Sequence, residues 1–211
     1  ATSPVQYDAN VNGVAGVDEA GRGPWAGPVM VAAAMLTPVA AEALHRAGVN
    51  DSKKLSRAAR ERCFELIREQ EAKSQLWLTI EAAEVAEIDT HNILQATMRA
   101  MSRAVAALPV APKHALIDGN RTPDLACPCE AIIGGDGKIL SIATASIAAK
   151  VTRDRLMAEL ALAHPGYGWE RNAGYGTAEH RRGLENLGVN KHHRRSFAPI
   201  RRMLETGTTS R

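Results

Sequence analysis

Val14-Ala15-Gly16-Val17-Asp18-Glu19-Ala20-Gly21-Arg22-Gly23-Pro24 is an apolar run that gives way to two acids and then to a glycine-rich turn. A second apolar run, Pro28-Val29-Met30-Val31-Ala32-Ala33-Ala34-Met35-Leu36, follows at once. Short apolar runs bounded by glycine and proline read as buried strands, so these are the first two strands of a sheet. Burying two adjacent, unpaired carboxylates is costly, because desolvation and mutual repulsion both oppose ionisation. A cation removes both penalties. Successive strand side chains point to opposite faces, so for Asp18 and Glu19 to reach one site the backbone must bend or leave the sheet there. The glycines that follow permit it.

Outward from this segment, strands and helices alternate. Ser56 caps a helix whose Ala59, Cys63, Leu66 and Ile67 recur at helical spacing. A second helix runs from Ile93 to Leu108 and stops at Pro109, and Gln75 to Ile80 make a strand between the two. His114 to Ile117 form a strand leading straight into Asp118, with Gly119 and Asn120 as its turn. Ile142 to Ala163, without internal glycine or proline, is a helix ended by His164-Pro165-Gly166. This pattern predicts one α/β domain over residues 1–211, with a helical C-terminal subregion at roughly 177–205. There is no internal repeat.

Composition narrows the function classes. Aromatics are 4% of the chain, too few for a protein that grips single strands mainly by stacking. A formal charge of +3 suits a polyanionic partner but also many others. Its placement says more: Lys53 and Lys54 are adjacent, and the stretch from Lys191 to Arg202 holds five cationic residues and no acid. Such runs are either solvated faces or nucleic-acid contacts. Three cysteines and no secretory leader predict a reducing, cytoplasmic setting. Cys127-Pro128-Cys129 lacks the second ligand pair of a zinc site. No apolar run approaches the roughly 20 residues of a membrane span.

Asp118, at a strand end, and Asp136, in Gly134-Gly135-Asp136-Gly137, are the candidates to join Asp18 and Glu19. Acids at turns beside apolar segments resemble a site for hard, oxygen-loving ions, and magnesium takes only a few carboxylates plus substrate phosphate oxygens. Two ions roughly 3.5 to 4 Å apart would activate a water on one side and stabilise the leaving oxygen on the other. Asp118 and Asp136 also read as ordinary Asp-Gly turn residues.

The run from Gly16 to Val29 resembles the signature segment of the ribonuclease HII family, the bacterial type 2 ribonucleases H. Asp51-Ser52-Lys53-Lys54-Leu55-Ser56, Ile117-Asp118-Gly119-Asn120, and Ala145-Ser146-Ile147-Ala148-Ala149-Lys150-Val151-Thr152-Arg153-Asp154 are similar to later family segments, in the family's order. Gly174-Tyr175-Gly176-Thr177 with His180, and His193-Arg194-Arg195-Ser196-Phe197, continue the match. The resemblance implies a ribonuclease H-like mixed sheet flanked by helices, with a helical C-terminal region. It implies that Asp18, Glu19 and Asp118 bind a divalent metal, Mn2+ or Mg2+, with Asp136 as the fourth acid. Asp154 competes for that place, but in a helical Thr-Arg-Asp-Arg stretch a local ion pair is its simpler role. Gly137 stands where a larger residue is expected.

The implied reaction is endonucleolytic hydrolysis of RNA in RNA/DNA hybrids, and incision 5′ of ribonucleotides embedded in duplex DNA, leaving 5′-phosphate and 3′-hydroxyl ends. Gly21, Arg22 and Gly23 present backbone groups with little shielding, as close inspection of a 2′-hydroxyl requires, and the resemblance gives them that task. Tyr175 is similar to the family tyrosine that packs on the sugar next to the ribonucleotide; alone, it reads as an ordinary core or turn tyrosine. Lys53, Lys54, Ser146 and Lys150 fit phosphate contacts. Ser146, Lys150 and Arg153 share one helical face, as a phosphate-holding stripe or an idle solvent face. The Lys191 to Arg202 segment extends the grip on the duplex or supports C-terminal packing. A phosphate-cradling turn at Gly21 to Gly27 is disfavoured, because the Lys-Ser/Thr of a P-loop is missing and two acids stand upstream. An inert hybrid binder is disfavoured by the presence of all the acids. A resolvase or exonuclease on a related fold remains the third alternative. A monomer is expected, and Thr206 to Arg211 have the composition of a disordered tail.

Overall fold

The computed structural model describes residues 12–206, so the tail expected at the C-terminus lies, from 207 on, outside the described residues. Five strands form one sheet: β1 (Val14–Ala20), β2 (Val29–Leu36), β3 (Leu76–Ala83), β4 (His114–Asp118) and β5 (Cys129–Ile132), in the order β3-β2-β1-β4-β5. The sheet is mixed. β1 pairs antiparallel with β2, from Ala15↔Met35 to Ala20↔Met30, and parallel with β4, from Val14↔His114 to Val17↔Ile117. β2 is buried at all eight positions, which is why it reads as an unbroken apolar run rather than an alternating one.

The predicted bend at the acids is absent. β1 stays paired to β2 through Asp18↔Ala32 and Glu19↔Val31, while its pairing to β4 ends one residue earlier at Val17. The ladder on the β2 side satisfies the backbone, so the strand has no need to break at the acids.

Eight helices accompany the sheet among the described residues: α1 (Pro38–Arg46), α2 (Arg57–Ala72), α3 (Val85–His91), α4 (Ile93–Ala106), α5 (Leu140–Ala163), α6 (Trp169–Asn172), α7 (Ala178–Leu187) and α8 (Ala198–Glu205). Ser56 does cap α2, its Oγ accepting from Ala59 N–H at 3.2 Å. Four elements were not foreseen, among them α6, a single turn of four residues. α1 had a legible signal, since Thr37 Oγ1 accepts from Ala40 N–H and Pro38 occupies the first turn. α3 and β5 are only seven and four residues long, too short for a period to register.

The described residues fall into two compact units. One comprises 12–20, 30–82 and 98–151, and the other 21–29, 83–97 and 152–206. In the first, the start of α5 lies against β1 at Gly16, where a Cβ would stand 2.2 Å from the Ser141 carbonyl carbon. The second has its own core of Ala26, Met157, Ala161, Tyr167, Trp169, Leu184 and Ile200. α7 and α8 are there joined by an irregular segment that contains most of the basic run. Among the described residues no helix is long and apolar enough to cross a membrane.

Candidate active site

β1 and β4 run parallel, so Asp18 and Asp118 emerge near the same end of neighbouring strands. Asp136 reaches them from a 3-10 turn, Gly135–Gly137, whose backbone N–H at Asp136 donates to Asp118 Oδ1 at 3.3 Å. The approach is close: a Cβ on Gly135 would stand 2.6 Å from Ile142 Cδ1 and 3.4 Å from Asp118 Oδ1. The result is three carboxylate oxygens, one from each aspartate, all within 4.8 Å of one another. Asp136 is therefore a buried member of a cluster rather than an ordinary Asp-Gly turn residue. Glu19 is half-buried and follows on the strand, its backbone N–H donating to Asp18 Oδ1 at 2.7 Å.

The electrostatics of the cluster call for a cation. Burial first, then the charges of Glu19 and Asp118, hold the Asp18 carboxyl well above the ordinary aspartate range; the Glu19 N–H and the Ser146 hydroxyl only partly offset this. Asp136 is raised by burial, then by Asp118 and Asp51, against the opposing charge of Lys53. Asp136 Oδ2 is buried without a hydrogen-bond partner, and the Lys53 ammonium is 3.6 Å away. An orphaned carboxylate oxygen among all-oxygen donors fits a hard divalent ion.

A pH-dependent prediction arises from these shifts. Carboxyls raised above their unfolded values give stability that is complete at low pH and is lost as pH climbs through the raised values. In EDTA, Asp18 and Asp136 therefore weaken the fold towards neutral pH, and a divalent ion should restore it. Melting curves in EDTA and in Mg2+ should separate increasingly as pH rises from the carboxylate range to neutrality. Curves that coincide at neutral pH would argue against an ion at these acids.

The Asp51 to Lys54 loop closes one side of the cluster. The Ser52 and Ser146 hydroxyls, both buried, are hydrogen-bonded at 2.9 Å, and Ser146 also bonds Asp18. Ser146 thus faces inward, behind the acids. Lys53 is 79% exposed at its side chain, and the carboxylates of Asp136, Asp18, Asp51 and Asp118 raise its pKa against the opposing effect of partial burial. Lys54 Nζ lies 4.0 Å from Asp51 Oδ2, and Lys150 is half-buried on α5. Asp51 and Ser52 join the site without a sequence signal of their own beyond their place beside the two lysines.

In the second unit, the glycine loop sits on two buried arginines. Gly21 has φ +95°, and a Cβ there would fall 1.9 Å from Arg153 Nε. Arg153 is 1% exposed and donates to the carbonyls of Pro28, Ala173 and Ala26. It is therefore no part of a phosphate-holding stripe, a correction that charge alone did not foretell. Arg194, from the basic run, is likewise fully buried. Tyr175 is 47% exposed, with its ring 3.3 Å from where a Gly23 Cβ would stand, so it is not a core tyrosine. Arg22 and Gly23 are exposed.

A mixed sheet that gathers three aspartates from its strand ends and an adjoining turn defines a metal-dependent hydrolase of the ribonuclease H type. The comparisons with known proteins agree. The family model for Ribonuclease HII matches residues 15–200. The chain is 57% identical over 192 residues to Ribonuclease HII of Ruegeria pomeroyi, covering 90% of this chain and 78% of that protein. It is 54% identical to Ribonuclease HII of a Jannaschia species, covering 90% and 92%. The ribonuclease H2 crystal structure from Pyrococcus horikoshii superposes with a TM-score of 0.79 at 26% identity, covering 93% and 99% of the two chains. This chain belongs to the ribonuclease HII family. It is a metal-dependent ribonuclease H, a hydrolase that cleaves RNA within RNA/DNA hybrids endonucleolytically.

Proposed function

We propose that this enzyme also incises duplex DNA on the 5′ side of a single embedded ribonucleotide, by two-metal hydrolysis that leaves 5′-phosphate and 3′-hydroxyl ends. The observation that carries the reading is the trio Asp18, Asp118 and Asp136, the first and last of them buried, with the unsatisfied Asp136 Oδ2. In this reading Asp18, Glu19, Asp118 and Asp136 hold Mn2+ or Mg2+. The chemistry such ions would supply, if held there, is a hydroxide nucleophile at neutral pH and neutralisation of charge on the departing 3′-oxygen.

The chain's own residues supply the rest. Lys53 and Lys54, and Lys150 on α5, draw the phosphodiester towards the acids, and their charges make binding salt-dependent. Ser146 acts from behind, its hydroxyl holding Asp18 in place. Gly21, Arg22 and Gly23 test the 2′-hydroxyl with backbone groups, and the exposed Tyr175 ring packs on the neighbouring sugar. Residues 1–211 are taken as one catalytic domain, working as a cytoplasmic monomer.

A DNA duplex carrying one ribonucleotide, incubated with Mg2+ or Mn2+, tests the proposal. One cut 5′ of the ribonucleotide, with a 5′-phosphate on the downstream fragment and complete suppression by EDTA, is the expected outcome. A 2′,3′-cyclic phosphate would instead mean attack by the ribose itself and would overturn the mechanism. A nick in the all-DNA control would favour a resolvase or exonuclease. Tyr175→Ala should raise KM for this substrate about tenfold or more, the cost of losing one stacked aromatic contact, with little change in melting temperature; an unchanged KM would remove Tyr175 from the substrate contacts.

A further inference from the structure

Arg194 is 0% exposed, and its guanidinium donates to three backbone carbonyls of one loop. Nε reaches Gly27 O at 2.9 Å, Nη1 reaches Arg22 O at 2.8 Å, and Nη2 reaches Gly21 O at 2.6 Å. The arginine is itself firmly seated. Its N–H donates to Trp25 O at 2.8 Å, Gly27 N–H donates to His192 O at 2.8 Å, and Ala26 pairs with His193 in an isolated antiparallel bridge. The Phe197 ring lies 5.1 Å from the guanidinium carbon. All of these groups belong to the second unit.

The direction of these bonds has a stereochemical consequence. In a trans peptide the C=O and the following N–H point in opposite directions, and the described residues contain no cis peptide. With the Gly21 and Arg22 carbonyls drawn onto the guanidinium, the N–H groups of Arg22 and Gly23 point to the opposite side. Arg22 and Gly23 are both exposed residues, as donors turned away from a buried guanidinium would be. A buried positive charge behind two aligned peptides also polarises them, which strengthens their N–H groups as donors.

We propose that Arg194 is a specificity-positioning residue: by holding the Gly21 and Arg22 carbonyls inward, it aims the N–H groups of Arg22 and Gly23 as adjacent donors at the 2′-hydroxyl oxygen of the ribonucleotide. This rests on the reading of the glycine loop given above and adds the residue that sets the loop's orientation. Lysine cannot take its place, because it keeps the charge but lacks the planar fork that spans several carbonyls. Arg153 serves as an internal comparison, since it is equally buried and also holds three carbonyls, those of Pro28, Ala173 and Ala26, none of them in the Gly21–Arg22 pair.

The test compares wild type, Arg194→Lys and Arg153→Lys in Mg2+. Each is assayed for KM on a ribonucleotide-bearing duplex and for Ki of the all-DNA duplex as competitor. Arg194→Lys should raise KM about tenfold, the effect of losing a net hydrogen bond to substrate, and leave Ki within about twofold. Arg153→Lys, whose role is packing, should move KM and Ki together. A ratio of Ki to KM that is unchanged in folded Arg194→Lys overturns the role. Should that variant not fold, amide NMR of 15N-labelled wild type in EDTA decides: the Arg22 and Gly23 signals should shift with the ribonucleotide-bearing duplex and not with all-DNA, and no such difference overturns it. Equal KM and Ki in wild type would instead refute ribonucleotide recognition itself, and this role with it.

Discussion

Asp118→Asn is expected to abolish cleavage while leaving hybrid binding largely intact. The substitution is isosteric, and the amide oxygen still accepts from the Asp136 N–H that bonds Asp118 Oδ1 at 3.3 Å, so the 3-10 turn keeps its anchor. What is lost is one anionic oxygen donor from a cluster whose oxygens all lie within 4.8 Å. Even partners behind a metal ligand cost about 10- to 100-fold when removed, so loss of the ligand should cost more than about a hundredfold. Turnover and electrophoretic retention of a hybrid, measured side by side, check this. Cleavage near the parent rate would remove Asp118 from the metal site. Loss of binding in parallel with activity would mean instead that Asp118 serves the fold.

Gly16→Ala should be the most damaging single methyl group in the first unit. Its Cβ would stand 2.2 Å from Ser141 C and 2.3 Å from Ile142 N, both backbone atoms of α5. No rotamer can relieve such an overlap, so the helix must move off β1. Overpacking of this kind costs about 1–3 kcal/mol where side chains can adjust, and more is expected against backbone. The displacement also carries function, because α5 bears Ser146, which bonds Asp18, and begins just after the turn that holds Asp136. A melting temperature lowered by several degrees together with a fall in turnover is expected. Parent-like stability would mean that α5 does not pack on Gly16 as described.

What could be read from the chain alone follows from how local each signal is. β1, β2 and β4 announce themselves by apolar runs with glycine or proline at their ends, and α2 by Ser56. The acids are legible because carboxylates beside buried strands need a reason to be there. Their grouping is not, since Asp18, Asp118 and Asp136 come together only through the parallel pairing of β1 with β4 and a turn much later in the chain. Two assignments failed for a single cause. The missing bend at Asp18-Glu19 and the inward course of Arg153 both depend on where backbone groups find partners, and side-chain charge does not report that. The basic run is ambiguous in sequence between duplex contact and packing; Arg194 turns inward, onto the carbonyls of the glycine loop.

Diffraction from crystals soaked in Mn2+, using the metal's anomalous scattering, tests the central claim most directly. A peak within coordination distance of the Asp18, Asp118 and Asp136 oxygens is predicted, disappearing in Asp118→Asn crystals soaked alike. Manganese bound elsewhere, with these three carboxylates uncoordinated, would contradict the account.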